Sequence, residues 1–268
     1  MTQVTFQNLI DALNELYPPT FAEDWDPIGL HFGDPQAPVN KIMTTLDVRH
    51  AVVDEAIKLG VDTIIAHHPL LFKPIQRFDL SSLTNQLYAK LIKHNIKVFA
   101  MHTNLDIAHN GMNDWLAEQL GLINIRELAV QATDELPGLG RIGQLATPLS
   151  RTALLDLLKS TYQRNELPII EKTPQESYQT IAIIGGSGSS LMEAVASQEV
   201  DVFLTGDITY HTAQALEDIP MMTVDVGHYT ESIFAKKAAE VIQLLVNEKQ
   251  WPVTVQATEL NINPFRYE

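Results

Sequence analysis

Thr63-Ile-Ile-Ala-His-His-Pro-Leu-Leu-Phe72 decides how the rest of the chain is read. Thr63–Ala66 is a short run rich in β-branched residues, bounded by a proline, and such a run reads as a buried strand. It leads straight into His67-His68. Three further segments have the same form: Val98–Met101 runs into His102-Thr-Asn-Leu-Asp106, Val202–Thr205 into Gly206-Asp207 and His211, and Met222–Val226 into Gly227-His-Tyr-Thr-Glu231. In open α/β sheets ligands settle beyond the carboxyl ends of the strands. Several metal-competent side chains delivered there would converge, and a metal site is the leading reading.

Working outward, Phe6, Leu9, Ile10, Leu13 and Leu16 repeat at helical spacing until Pro18-Pro19 stops the helix. Ile42–Leu46 reads as a strand, Ala51–Leu59 as a helix closed by Gly60, Ser82–Lys93 as an amphipathic helix and Lys97–Met101 as the next strand. Strand alternating with helix indicates parallel βαβ units. Asn113–Leu120 adds a helix ended by Gly121, and 128–140 is a turn-rich junction marked by Pro137, Gly138 and Gly140. Arg141–Ala146, Arg151–Ser160, Thr180–Ile184, Leu191–Ala196 and Val200–Thr205 then read as a second α/β unit. Met222–Val226, a helix from near Thr230 to Asn247, and Val253–Ala257 close the chain. The expected fold class is α/β, with two α/β domains and a metal site in the cleft at the strand C-terminal ends. Residues 1–127 with 222–268 would form a discontinuous metal-carrying domain, and 128–221 the second.

A chain of 268 residues, 45% hydrophobic, can bury a substantial core. It has no run of 18 apolar residues, and its start, Met1-Thr-Gln-Val-Thr-Phe-Gln-Asn, lacks the basic and apolar regions of a signal peptide. A cytoplasmic protein with no membrane partner is expected. There is no cysteine, so any metal must be held by nitrogen and oxygen. The net charge of -15, with no dense run of Lys or Arg, argues against a nucleic-acid partner. An anionic small molecule could still be held by a bound dication.

Five of the nine histidines, His67, His68, His102, His211 and His228, lie in the four strand-end motifs. Asp106 follows His102 by four residues, and His228 with Glu231 forms an i, i+3 pair on one helical face. Such a mixed nitrogen and oxygen set suits Zn, Mn, Fe, Co or Ni, and a carboxylate can bridge two ions about 3.5–4 Å apart that activate a water. Each piece also has a plainer reading. A single histidine on a strand is more often a hydrogen-bonded structural residue, Asp106 could be a turn residue, and Glu231 could sit in a helix's first turn because of its dipole.

His67-His-Pro-Leu-Leu-Phe72, His102-Thr-Asn-Leu-Asp106, Thr205-Gly-Asp-Ile208 and Gly227-His-Tyr-Thr-Glu231 resemble the successive signatures of the NIF-three-like family, also labelled GTP cyclohydrolase 1 type 2 homologues. Trp25-Asp-Pro-Ile-Gly-Leu30 resembles its N-terminal signature, with Asp26-Pro27 in place of the commoner Asp-Asn, and Gly185-Gly-Ser-Gly-Ser-Ser190 its glycine turn. The chain looks like the family's short form, without the inserted middle domain. The resemblance implies two divalent transition metal ions per chain, held by His67, His68, Asp106, His228 and Glu231, with Glu231 touching both. It places His102 and His211 nearby, and implies a ring-shaped homohexamer.

The expected function is that of a dinuclear metal-dependent hydrolase acting on a nucleotide or related small molecule, with His102 or His211 relaying protons. The alternative is a metal-binding regulatory or scaffold protein without turnover. Two rival sites are weaker. The Gly185–Ser190 loop could hold an anion at a helix start, but lacks the Lys-Ser/Thr of a P-loop. Ser187 nearly fits a nucleophile elbow, but the glycine required two residues later is Ser189.

Overall fold

The computed structural model describes residues 3–128 and 138–266; of the junction expected over 128–140, residues 129–137 lie outside that description. In chain order the helices are α1 (Phe6–Leu16), α2 (His50–Leu59), α3 (Leu83–Lys93), α4 (Thr103–Ile107), α5 (Met112–Gln119), α6 (Arg151–Tyr162), α7 (Met192–Ala196), α8 (Tyr210–Glu217) and α9 (Ile233–Glu248). The strands are β1 (Gly29–Phe32), β2 (Lys41–Thr45), β3 (Thr63–Ala66), β4 (Lys97–Ala100), β5 (Ile123–Glu127), β6 (Arg141–Leu149), β7 (Ile169–Ile170), β8 (Tyr178–Ile183), β9 (Val202–Thr205), β10 (Met222–Asp225) and β11 (Thr254–Ala257). Among the described residues no helix is long and apolar enough to cross a membrane.

The chain divides into two compact units. The first comprises Met1–Leu105 with Ser232–Pro264, the second Asp106–Glu231 with Phe265–Glu268. The first unit carries a five-stranded sheet in the order β1-β4-β3-β2-β11. Its four inner and C-terminal strands run parallel, and β1 pairs antiparallel with β4 at one edge. Every residue of β3 and β4 is buried, as expected of parallel strands covered on both faces. Ile64 and Val98 pack there with Val52, Val53 and Ala56 of α2 and Leu87 and Leu91 of α3. α1 begins at a capping box in which Thr5 and Asn8 satisfy each other's backbone amides.

The second unit carries a six-stranded sheet in the order β5-β6-β8-β9-β10-β7. β8, β9 and β10 run parallel, while β5, β6 and β7 join antiparallel. Its core gathers Ile142, Ala182 and Phe203 with Val195 of α7 and Leu216 of α8. The α/β class with two sheets is therefore as the sequence implies. The seams fall after Leu105 and after Glu231, not after 127 and 221, because β5 pairs with β6 and β10 pairs residue by residue with β9. Neither pairing is visible in local periodicity.

The fully buried Ile64 sits in the first core, whereas Leu83 at the start of α3 is 70% exposed. Ile64→Ala is expected to cost about 2–5 kcal/mol of unfolding free energy, and Leu83→Ala within roughly 0.5 kcal/mol of zero. Urea unfolding measures both, and equal midpoints for the two variants would contradict this packing.

Candidate metal centre

In the first unit, His67 and His68 follow β3 directly. Their amides still bond to the carbonyls of Thr45 and Leu46 at 3.1 and 3.0 Å, so the parallel ladder continues past the strand's end. A regular strand would send consecutive side chains to opposite faces. The chain bends at His67 and His68, and the two rings come to lie 5.1 Å apart, centroid to centroid. His102, just beyond β4, completes a trio with ring separations of 5.1 Å to His67 and 5.6 Å to His68. Each of the three offers a nitrogen, and these atoms lie within 4.8 Å of one another.

The other ring nitrogen decides what that trio can do. His67 Nδ1 faces the Met101 carbonyl oxygen at 2.9 Å, His68 Nδ1 faces Asp47 Oδ1 at 2.9 Å, and His102 Nδ1 faces Asp26 Oδ1 at 3.0 Å. A carbonyl or carboxylate oxygen only accepts, so each Nδ1 carries the proton and donates it. Each Nε2 of the neutral ring is then the unprotonated, accepting nitrogen, the form in which imidazole binds metal, and the oxygen behind Nδ1 is the partner metal-binding histidines usually have. His67 is fully buried and also packs against Phe234, 5.3 Å away.

The second unit builds its own group. His228–Ser232 is a single 3-10 helix leading into α9. With three residues per turn, side chains at i and i+3 eclipse, and His228 Nε2 meets Glu231 Oε2 at 3.1 Å. His228 Nδ1 faces Asp207 Oδ2 at 2.7 Å, so this ring too donates from Nδ1. Its Nε2 and the Glu231 carboxylate are then two electron-rich groups face to face, an arrangement that calls for a proton or a cation. Glu231 is only 3% exposed.

Glycines make room for that carboxylate. A Cβ on Gly185 or Gly186 would stand 3.0 or 2.8 Å from Glu231 Oε1, and Gly186 also has φ +59°. A Cβ on Gly206 would fall 2.6 Å from the His228 amide nitrogen. The glycine turn that could have held an anion instead lies against a carboxylate of the chain itself, which makes it a poor phosphate cradle. The Gly185 amide donates to Asn113 Oδ1, and Asn113 Nδ2 donates to the Asp106 carbonyl oxygen, both at 2.9 Å. Asn113 thereby ties the backbone of Asp106 on α4 to the loop beneath Glu231.

Of the residues expected from sequence, the first unit brings together His67, His68 and His102, and the second brings together His228 and Glu231. Asp106 is joined to the second group through Asn113. His211 lies exposed on α8, its Nδ1 3.2 Å from Gln214 Oε1. Sequence reasoning passed over Asp26, Asp47 and Asn113. Asp47 was within reach, since it stands just past β2 as His67 stands past β3. Asp26 lies in the N-terminal signature, but nothing in its spacing points to a histidine 76 residues on.

Gly186→Ala is expected to lower stability by about 1–3 kcal/mol and to displace Glu231, because it adds a left-handed side chain to an occupied space. Gly60→Ala is the control, with φ +67° and nothing within 4 Å; it should cost about 1–2 kcal/mol of backbone strain alone. Denaturant unfolding of both, with a crystal structure of Gly186→Ala, checks this; an unmoved Glu231 would contradict it.

The family description Duf34/NIF3 (NGG1p interacting factor 3) matches residues 4–264. A protein of Streptococcus pneumoniae named GTP cyclohydrolase 1 type 2 homolog is 36% identical over 262 residues, covering 97% of this chain and 98% of that one. A Lactococcus lactis protein of the same name is 32% identical, covering 92% and 93%. The crystal structure of a hypothetical protein from Staphylococcus aureus superposes with a TM-score of 0.93 at 28% identity, over 100% of both chains. With a family match across nearly its whole length and relatives above 30% identity, this chain belongs to the Duf34/NIF3 family.

Proposed function

We propose that His67, His68, Asp106, His228 and Glu231 hold two divalent transition metal ions, with Glu231 shared, and that the protein is a hydrolase of a nucleotide or related small molecule. The observation that carries the reading is the uniform state of the histidines. Each of His67, His68 and His228 has an acceptor oxygen on Nδ1, which leaves Nε2 unprotonated in the neutral ring. With nitrogen and carboxylate donors and no thiolate, Zn, Mn, Fe, Co or Ni all suit the set.

Such ions would supply Lewis acidity to activate a water and polarise the substrate. The chain's own residues orient and protect that chemistry. Asp47 and Asp207 hold the rings of His68 and His228, and the Gly185–Gly186 turn seats Glu231. His102 or His211 would relay protons in this scheme. An anionic substrate fits it, since the dications would offset an otherwise acidic chain, and the name carried by the relatives suggests a GTP-like molecule.

We further propose that the chain works in the cytoplasm as a homohexamer. Phe72, Ile75, Phe78, Leu80 and Leu83 expose an apolar stretch in the first unit, a feature that marks association surfaces.

Elemental analysis of protein purified without chelator is expected to find about two transition metal ions per chain, and the Glu231→Ala variant to lose them nearly completely. Chains that carry none at neutral pH would refute the metal reading. The metal-loaded protein should hydrolyse at least one member of a panel of nucleotides, phosphoesters and pterin precursors, and His68→Ala should not; inactivity of both favours a regulatory or scaffold role. Light scattering should read six chains per particle, and a monomer at micromolar concentration would exclude the ring.

A further inference from the structure

The segment Trp25-Asp26 has no part in the reading above, yet it is built onto His102. The Asp26 side chain is 0% exposed. It accepts from His102 Nδ1 and from the Thr103 amide at 3.0 Å each, and also from the Thr103 hydroxyl. The Thr103 hydroxyl oxygen in turn accepts from the Glu23 amide at 3.0 Å, closing the loop back on itself. Trp25 meets the His102 ring edge-on, with centroids 6.1 Å apart and planes at 76°.

A buried carboxylate is costly unless its hydrogen bonds are met, and here the donors are one imidazole and two groups of the next residue in the chain. Packing alone would be served better by an apolar side chain. What the carboxylate uniquely does is compel His102 to carry its proton on Nδ1. One ring nitrogen of His102 lies within 4.8 Å of a ring nitrogen on each of His67 and His68, a spread one cation could bridge after small ring rotations, given bonds of about 2.0–2.1 Å.

We propose that His102 is a third imidazole ligand beside His67 and His68, and that Asp26 is the positioning residue that fixes its tautomer. The proposal rests on the metal reading above and changes it in one respect: His102 becomes a donor to the cation and leaves proton transfer to other groups. It also accounts for the N-terminal signature, whose aspartate supplies the oxygen behind a ligand while its tryptophan sets the plane of the ring.

The test uses the full-length protein labelled with 15N-histidine, with His102 assigned through His102→Gln. In metal-free wild type, above the ordinary imidazole pKa of about 6.5, two-bond 1H–15N spectra should show His102 protonated on Nδ1 with Nε2 bare. In Asp26→Ala the ring should shift towards the Nε2–H form, and the affinity for Zn2+ or Co2+, read by competition with a chromophoric chelator, should fall about 10–100-fold. Asp26→Asn keeps the shape, but the two Thr103 donors claim its single oxygen, so its NH2 faces His102 Nδ1 and should impose the Nε2–H form and the same loss of affinity as Asp26→Ala, which a purely structural role would not predict. If Asp26→Ala does not fold, His102→Gln leaves Asp26 in place and should lose affinity to a similar degree. An unchanged His102 tautomer in a folded Asp26→Ala variant, or full affinity in His102→Gln, overturns the proposal while leaving the five-ligand reading intact. Absence of metal from wild type itself overturns both.

Discussion

Around the candidate metal centre, four imidazoles donate a hydrogen bond from Nδ1 to an oxygen that the fold holds in place: the Met101 carbonyl for His67, Asp47 for His68, Asp26 for His102 and Asp207 for His228. A neutral imidazole has one donor and one acceptor, so fixing the first defines the second. A hydrogen bond to a charged group contributes roughly 1.5–3 kcal/mol, and about 1.4 kcal/mol is tenfold in an equilibrium. Each carboxylate is therefore strong enough to select one tautomer nearly completely. Without that selection the same histidines would present a mixture of lone pairs and N–H groups, and a cation would have to reorganise them before binding.

The strand ends make this control possible. Past β3 the backbone still bonds to Thr45 at the end of β2 and to Leu46 beyond it, and past β4 it bonds to Ala66 at the end of β3, so His67, His68 and Met101 are held in register where the sheet proper has stopped. In the second unit the loops after β8, β9 and β10 are crowded at three glycines: a Cβ on Gly186 would meet Glu231, one on Gly206 the backbone of Gly186, Gly227 and His228, and one on Gly227 the Arg164 guanidinium. Asp207 sits there at φ +55°, a left-handed conformation that aspartate tolerates better than most residues. Strain of this kind gathers where a side chain must be aimed. Here it aims a carboxylate at His228.

Much of the fold could be read from local pattern. Strands such as Thr63–Ala66 and Val202–Thr205 are continuous apolar runs, because parallel strands buried on both faces admit little else, and the structure returns them with the same bounds. The short edge strands β1, β5 and β7 could not be read that way. They are partly exposed, and they exist through pairing with distant partners. The helix expected from near Thr230 begins instead as a 3-10 turn at His228, and that tighter turn stacks His228 on Glu231. The histidines and carboxylates stood out because they follow strands. The oxygens behind them did not, since a carbonyl such as that of Met101 has no signature at all in a sequence.

Composition and order of residues determined the chemistry this protein has to offer: imidazoles and carboxylates without thiolates, set where buried strands run out, in an acidic α/β chain. Local rules suffice for that because strand burial and chain breaks act over a few residues. The tertiary structure decided which nitrogen of each ring donates. That choice depends on Asp26, Asp47, Asp207 and a main-chain oxygen placed by strands and loops far along the chain, and hydrogen bonds between such distant groups form only once the sheets have assembled.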